Sequence, residues 1–435
     1  MIVWHSSLFS IILAIVFGGT ILIGVPIAFS MGITALVGLI LLDAPMQLAI
    51  LRYFSGLDVF SLMAIPFFVL AGELMNIAGI TRALVDFADL LVGRFRGGMA
   101  HITIVASMIF ASITGSATSA ASTLGTTMIP EMNKKGYDIE FSAGVIASAS
   151  VLGPIIPPSI LMIIVGSITN ISVGALFVSG FIPGLIIGFG LMIIAWVIAK
   201  KKNYPRREER FNLGEVIKRG LRAIPAFFMP VIILGGVFSG VFSVTEASSV
   251  AVGYAFFYGM IRRPQAFLRE IYGALSRSVV VSVMILTVIG SAGIIGWVLA
   301  ADMVAQRIAD FFLEISRNPY IFLLLINTFY LIVGCLMEPA AAIIITVPLL
   351  LPLAEKVGIH SLHFGLVVVI NMCIGFITPP VGLCLYVLCG ITKLSLEKVS
   401  RAVLPFLFVE IAALGLITYV PFLSLVLPRA VGLIK

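Results

Sequence analysis

Charge is what this chain has least of. Asp, Glu, Lys and Arg together make up 11% of its 435 residues, against 60% hydrophobic residues, and the mean hydropathy is +1.19. No region is polar enough to form a separate soluble domain. No charged residue precedes Asp43, so the N-terminal apolar run lacks a basic leader and is too long for a signal peptide. Catalytic signatures are missing too. There is no HExxH, no GxSxG and no cluster of acids, so no catalytic residue is assigned and the chain is not read as an enzyme. The absence of a GxxxxGK[ST] phosphate loop argues against an ATP-driven pump. Cys335, Cys373, Cys384 and Cys389 lie in apolar stretches without ligand spacing and read as packing residues. His360 and His363 are spaced as HxxH, but no acidic partner completes a metal site.

What the chain does have is a succession of apolar segments of ~20 residues, the length that crosses the hydrocarbon layer. The expected fold class is an all-α polytopic membrane protein. Gly24-Val25-Pro26 divides the first apolar run into two helices. The net charge of +7 follows the positive bias of cytoplasmic loops and calls for no nucleic acid partner. Nine basic residues lie between Lys200 and Arg222, and Arg262, Arg263, Arg269 and Arg277 form the next group. Helices near 224–239 and 247–261 connect these two groups through "GVFSVTEASS". Helices near 177–199 and 139–167 return Lys134 and Lys135 to the same side.

Residues 98–132 are too few for two full crossings between Arg96 and Lys134. They fit a re-entrant hairpin of two half-length helices with "TGSATSAAS" (114–122) at its tip. Irregular backbone at that depth survives only inside protein or beside a wet cavity. A helix near 278–300 leads to a second hairpin over 319–353, entering from the opposite face with "CLMEPAAAI" (335–343) at its tip. A helix over 363–390 returns to Lys393, Lys398 and Arg401, and one over 402–427 exits. Of 27 Lys and Arg, 21 then lie inside, and Arg52, Arg307, Arg317, Lys356, Arg429 and Lys435 lie outside. Both termini are expected on the periplasmic side. The basic stretches 213–222 and 263–277 are expected to lie along the inner membrane lipid surface.

"GPIIPPSIL" (153–161) and "FITPPVGL" (376–383) break two of these helices with proline, which deletes a backbone donor and clashes with the preceding turn. Pro157 and Pro158 align with Pro379 and Pro380 at a spacing of 222. The same spacing pairs Pro130 with Pro352, Gly136 with Gly358, Gly153 with Gly375 and Pro183 with Pro405. Two copies with hairpins from opposite faces are inverted repeats, the architecture of secondary transporters with sites near the midplane. Each tip is expected to face its own copy's break. Ser112, Ser116 and Thr118 then meet Gly153 to Ser159, and Glu338 meets Gly375 to Gly382. Freed carbonyls and hydroxyls suit a hard cation such as Na⁺, and a half-helix N-terminus suits an anion. Glu246 is expected to cap a helix after Thr245. Glu73 and Glu410 are expected to pair with basic groups or a partner subunit.

The motifs "LAGELMNIAGITRALVDFADLLVG", "TGSATSAASTLG", "GPIIPPSILMIIVG" and "GVFSVTEASSVAVGYAF" resemble the large membrane subunit of tripartite ATP-independent periplasmic (TRAP) transporters, nearly end to end and in order. The resemblance implies an elevator-type scaffold and transport domain in the bacterial inner membrane, importing an organic acid with Na⁺. It implies a separate small four-helix membrane subunit and a soluble periplasmic binding protein as partners. The domains are then 1–97 and 177–300 as scaffold, 98–176 and 301–392 as the two transport parts, and 393–435 as a C-terminal helix. By the same resemblance at least two Na⁺ are held by Ser112, Ser116, Gly153, Ile156 and Pro158 at one site, and by Gly334, Gly375, Thr378 and Pro380 at another. Ser116, Thr118, Ser159 and Glu338 line the substrate cavity. A stand-alone Na⁺-coupled carboxylate carrier is the alternative. A channel is disfavoured, because dead-end hairpins from opposite faces form no continuous filter.

Overall fold

The computed structural model describes residues 2–205, 213–303 and 318–434, without the side chains of 2–7, 111–112, 213–223 and 226. The described residues fold into helices. The first run divides as its glycine and proline require. α1 (Ile2–Leu22) ends before Gly24 at φ +86, and α2 (Ile27–Leu41) starts after Pro26. α3 (Gln47–Leu57), a short 3₁₀ turn, α4 (Ala64–Ile77) and α5 (Ile80–Val92) follow.

α6 (Gly98–Thr114) and α7 (Ala117–Lys134) are joined by Gly115–Ser116 alone. α8 (Ile139–Ser150) and α9 (Ile160–Thr169) flank the first break, and α10 (Val173–Lys201) follows. Next come α11 (Leu213–Phe238), α12 (Val244–Arg262) and α13 (Pro264–Ala301). After the undescribed stretch, α14 (Pro319–Leu336) and α15 (Pro339–Lys356) are joined by Met337–Glu338. α16 (Ser361–Gly375) and α17 (Leu383–Thr392) flank the second break. α18 (Leu396–Tyr419) and α19 (Phe422–Ala430) end the fold. Among the described residues, six helical segments, among them α10, α13 and α18, are long and apolar enough to cross a membrane. The protein is an integral multi-pass membrane protein.

Several expected boundaries move. α6 and α7 are not half-length: at ~1.5 Å per residue they are about 25 Å and 27 Å long, because a two-residue connection with Gly115 at φ +59 uses almost no chain. The stretch 263–277 is not a separate arm. It continues into α13, whose 38 residues reach ~57 Å, well beyond a ~30 Å hydrocarbon core. Likewise 213–222 is the start of α11. The last expected helix is two, split where Pro421 has no N–H to continue the ladder. Arg307, Arg317 and Lys435 lie outside the described residues. Glu246 caps α12 as expected, but the helix starts at Val244 and Ser243 is its N-cap residue. Its hydroxyl accepts from Glu246 N at 3.2 Å, while Glu246 Oε2 accepts from Ser243 N at 2.8 Å. That reciprocal pair is a capping box.

Two packing groups emerge, joined where α5 and α4 pack on α6 and where α13 touches α15. α13 packs along α2, α3 and α4, while α12 packs on α4 and α11 on α5. In the other group α8 lies between α7 and α18, α14 and α15 pack on α16, and α10 packs on α6, α18 and α19. α10 was expected with the scaffold, yet its main partners belong to this second group. The contacts cross over reciprocally: α7 packs on α17, and α15 packs on α9. Gly125 of α7 leaves room for Leu388 and Ile391 of α17.

Ion pairs tie several of these helices together. Glu73 Oε2 accepts from Arg277 Nε at 2.9 Å, joining α4 to α13. Asp138 N-caps α8 and ties it to the end of α10, accepting from Lys202 Nζ and from Tyr204 Oη at 2.8 Å. Hydrogen bonds from Lys202, then Tyr204, hold the Asp138 carboxyl below its ordinary range. A carboxyl depressed in the fold stabilises it above the unfolded value and loses that contribution as the pH falls through the folded one. Asp138→Asn is therefore expected to lower Tm by about 1 °C at neutral pH, and by less as the pH falls below the carboxylate range. The small size reflects an exposed side chain, and thermal unfolding across pH checks it.

Candidate functional site

The site is built from two contacts between a helix connection and a broken helix. In the first, Gly115 lies so close to the break that a Cβ there would stand 2.6 Å from the Pro158 carbonyl oxygen. Its φ of +59 adds a second reason for glycine. A Cβ on Gly153 would meet Ser116 backbone atoms at 3.0 Å. Ser116 is the N-cap of α7: its Oγ accepts from Ser119 N at 3.4 Å and lies 3.2 Å from Thr118 Oγ1. From behind, α10 closes in with glycines. A Cβ on Gly180 would stand 2.3 Å from the Ile155 oxygen, and one on Gly184 would overlap Ile156.

The second contact repeats the first. A Cβ on Gly375 would stand 2.7 Å from the Gly334 backbone, and Val381 N donates to the Cys335 oxygen at 3.2 Å. Thr378 Oγ1 donates to Ile374 O at 2.8 Å. Glu338 is the N-cap of α15, with Oε2 accepting from Ala341 N at 2.9 Å. Both breaks contain a cis peptide bond, Pro157–Pro158 and Pro379–Pro380.

Breaking the helix frees acceptors. Among the described residues, the carbonyl oxygens of Gly153, Ile156 and Pro158 accept no hydrogen bond, although all three residues are buried. In the second break those of Thr378 and Pro380 are also free, whereas Gly375 O accepts from Thr378 N at 3.2 Å. Buried acceptors without donors are costly. An oxygen-seeking cation such as Na⁺ fits this donor set. The two breaks differ in access: 153–159 is buried throughout, while Pro379 and Pro380 are exposed.

Of the residues singled out, Ser116, Thr118, Gly153, Ile156 and Pro158 come together at one contact. Gly334, Glu338, Gly375, Thr378 and Pro380 occupy the other. Ser159 is turned inward. Fully buried, its hydroxyl donates to Pro154 O at 2.5 Å and accepts from Met162 N at 3.2 Å, capping α9 and clamping the loop. The Ser112 side chain lies outside the described residues. His360 and His363 go separate ways. His360 N-caps α16, while His363 bonds Ser424 Oγ at 2.7 Å and Thr418 O at 3.0 Å.

Gly115 was missed, although its place ahead of a Ser-Ala-Thr run is a turn signal. So was the buried relay from Asn371 Nδ2 to Asn327 Oδ1 (2.8 Å) and from Asn327 Nδ2 to Thr418 Oγ1 (3.0 Å). Two amides inside apolar helices were the clue. Glu410, expected to have a partner, is fully buried with neither carboxyl oxygen hydrogen-bonded among the described residues.

The sequence profile of the family described as "Tripartite ATP-independent periplasmic transporter, DctM component" matches residues 13–423. The sialic acid TRAP transporter large permease protein SiaM of Vibrio cholerae is 38% identical over 418 residues, covering 94% of this chain and 96% of that one. The C4-dicarboxylate TRAP transporter large permease protein DctM of Pseudomonas aeruginosa is 38% identical over 391 residues, covering 90% and 91%. The solved structure of the Alcanivorax borkumensis YdaH transporter superposes with a TM-score of 0.60 at 10% identity, covering 86% of this chain and 87% of that one. That likeness is one of fold.

Proposed function

The chain belongs to the family of DctM components of tripartite ATP-independent periplasmic transporters, and from that premise we propose that it imports an organic acid anion coupled to Na⁺. It is a transport subunit and not an enzyme. The observation that carries the Na⁺ reading is the set of buried, donorless carbonyls at Gly153, Ile156 and Pro158, closed over by the Gly115–Ser116 connection. Ser116 supplies a hydroxyl to this cation site. Gly334, Gly375, Thr378 and Pro380 form the second, and Thr378 contributes a carbonyl oxygen there. The acid binds between the two, lined by Thr118 and Glu338, with the N-termini of α7 and α15 aimed at its carboxylate. Ser159 shapes the first break from behind. A C4-dicarboxylate or a sialic acid is the substrate class that relatives named for those compounds suggest.

The two contacts are inverted repeats that move as one elevator body. Helices α6 to α9 recur as α14 to α17 at the spacing of 222, with α7 and α15 starting at Ala117 and Pro339. The reciprocal packing of α7 on α17 and α15 on α9 is what a two-fold relation between copies requires. Each connection docks halfway along a broken helix, which puts it at mid-depth and makes the hairpins re-entrant in spite of their length. α10, α18 and α19 travel with this body, and α1–α5 with α11–α13 form the scaffold. The protein sits in the inner membrane with both termini periplasmic, beside a small four-helix membrane subunit, and receives its acid from a periplasmic binding protein. Uptake of labelled succinate and N-acetylneuraminate into proteoliposomes tests this. With each partner omitted in turn, uptake is expected to need the binding protein and the small subunit. Undiminished uptake without the binding protein would make the chain a stand-alone carrier.

A further inference from the structure

The α4–α5 corner, the α12–α13 corner and the outer face of α7 border an open cleft of about 340 Å³, into which the exposed Arg82, Arg263 and Ser122 project. It lies across the border of the two packing groups, with α7 on one side and α4, α5, α12 and α13 on the other. Its lining is rich in donors and contains no acid. Arg82 and Arg263 both face it, and neither guanidinium makes an ion pair or hydrogen bond among the described residues. The Ser122 and Thr123 hydroxyls have no partner there either. Thr81 Oγ1 donates to Asn76 Oδ1 at 3.3 Å, which leaves the Asn76 amide hydrogens free.

Two further details aim this charge. The Arg263 guanidinium lies over Gly79, where a Cβ would stand 3.0 Å from Nη1. Gly79, at φ +80, starts α5 with no side-chain cap and no acid in the first turn. The free N–H groups of that turn add partial positive charge to the same place. Two cations, a helix N-terminus and three uncommitted polar donors around one cleft match a ligand with a carboxylate and several other oxygens.

We propose that this cleft is a carboxylate-binding waypoint on the cytoplasmic side of the transport path. Arg82 and Arg263 grip the acid group after it leaves the cavity between the breaks, and Asn76, Ser122 and Thr123 take its other oxygens. The inference rests on the transport reading above, because it assigns the cleft to the route of that substrate. As α7 moves past the α4–α5 corner, the cleft changes width and releases its occupant.

The test is charge-selective labelling of Ser122→Cys in the full chain, reconstituted in phosphatidylcholine vesicles. The unsubstituted chain supplies the background from its own cysteines, and Thr123→Cys is a second reporter should the first misfold. Relative to free thiol, anionic 2-sulfonatoethyl methanethiosulfonate is expected to react roughly tenfold faster than the cationic trimethylammonioethyl reagent, since a focused positive potential concentrates anions. Arg82→Gln with Arg263→Gln should erase that preference, and millimolar succinate or N-acetylneuraminate should slow the anionic reagent. Equal rates for the two reagents, or a preference surviving both substitutions, would overturn the proposal. So would protection by phosphatidylglycerol in the vesicles but not by the free acids, which would mark a lipid-headgroup site. Uptake is measured separately, so a cleft without charge preference in a working transporter refutes only the waypoint. A charge-selective cleft in a chain that does not transport overturns the transport reading, and with it the cleft's place on that route, while leaving an anion site.

Discussion

Gly375→Ala is expected to reduce uptake about a hundredfold. The added methyl would stand 2.7 Å from the Gly334 carbon and oxygen atoms. Those are backbone atoms of α14, with no rotamer that could move aside. Either the α14–α15 connection lifts off the second break or α16 bends away. Both displace Thr378 and Pro380 from the connection that faces them. Overpacking a tight interior contact costs about 1–3 kcal/mol, and a displacement of ~1 Å at a positioned site can cost on the order of 10²-fold in rate. Gly390→Ala is the control. Its Cβ would meet nothing within 4 Å, and alanine is the better helix former by ~1 kcal/mol. Initial rates of both variants, normalised to the amount of folded protein in the vesicles, check the expectation. Equal rates for Gly375→Ala and Gly390→Ala would mean that close docking on the second break is not needed for transport.

Glu338→Gln is expected to raise the Na⁺ concentration for half-maximal uptake about tenfold, with a smaller effect on stability. Glu338 does two jobs in this account. One oxygen caps α15 through Ala341 N, and the carboxylate lines the acid's cavity next to the second cation site, where its charge balances the Na⁺ and the helix N-terminus. Glutamine keeps an acceptor for the cap and removes the charge. Aspartate keeps both, and Glu338→Asp should stay within about threefold of the unsubstituted protein, since Asp is among the best N-caps. Glu338→Ala loses both and should unfold more easily by ~1 kcal/mol as well. Half-saturation for Na⁺ in the three variants separates charge from capping. A Gln variant with unchanged Na⁺ dependence would leave Glu338 a helix cap and nothing more.

The parts of this fold readable from residues are those set by local chemistry. Pro26 after Gly24, the paired prolines at 157–158 and 379–380, and the Ser-x-x-Glu box at 243–246 each dictate backbone without help from distant contacts. The spacing of 222 was legible because glycine and proline are needed at the same backbone positions in both copies. Lengths were less legible. Counting residues between Arg96 and Lys134 assumed a loop of ordinary size, but Gly115 makes the turn in two residues and leaves 17 and 18 for the helices. The basic 263–277 stretch carries no break that would stop α13, so its polarity marks where the helix leaves the membrane rather than where it ends.

Side-chain roles depend on three-dimensional company. Ser159 looks like any hydroxyl in a broken helix until Pro154 O and Met162 N are seen to occupy it. The Arg82–Arg263 cleft joins residues from three separate stretches, and no spacing along the chain could announce it. Glu410 illustrates the reverse. Its sequence context suggested a partner, yet among the described residues neither oxygen of the buried carboxyl is hydrogen-bonded.

The most direct test of the account is the Na⁺ dependence of uptake by the complete reconstituted system, with the partner subunit and binding protein present. Two cation sites that must both fill predict an initial rate rising with Na⁺ at a Hill coefficient above one. Replacing the Na⁺ gradient with an equal K⁺ gradient should then cut the rate at least about tenfold. Uptake that proceeds undiminished in K⁺ would contradict it, because the carbonyls freed at Gly153, Ile156 and Pro158 would then have no coupling ion to hold.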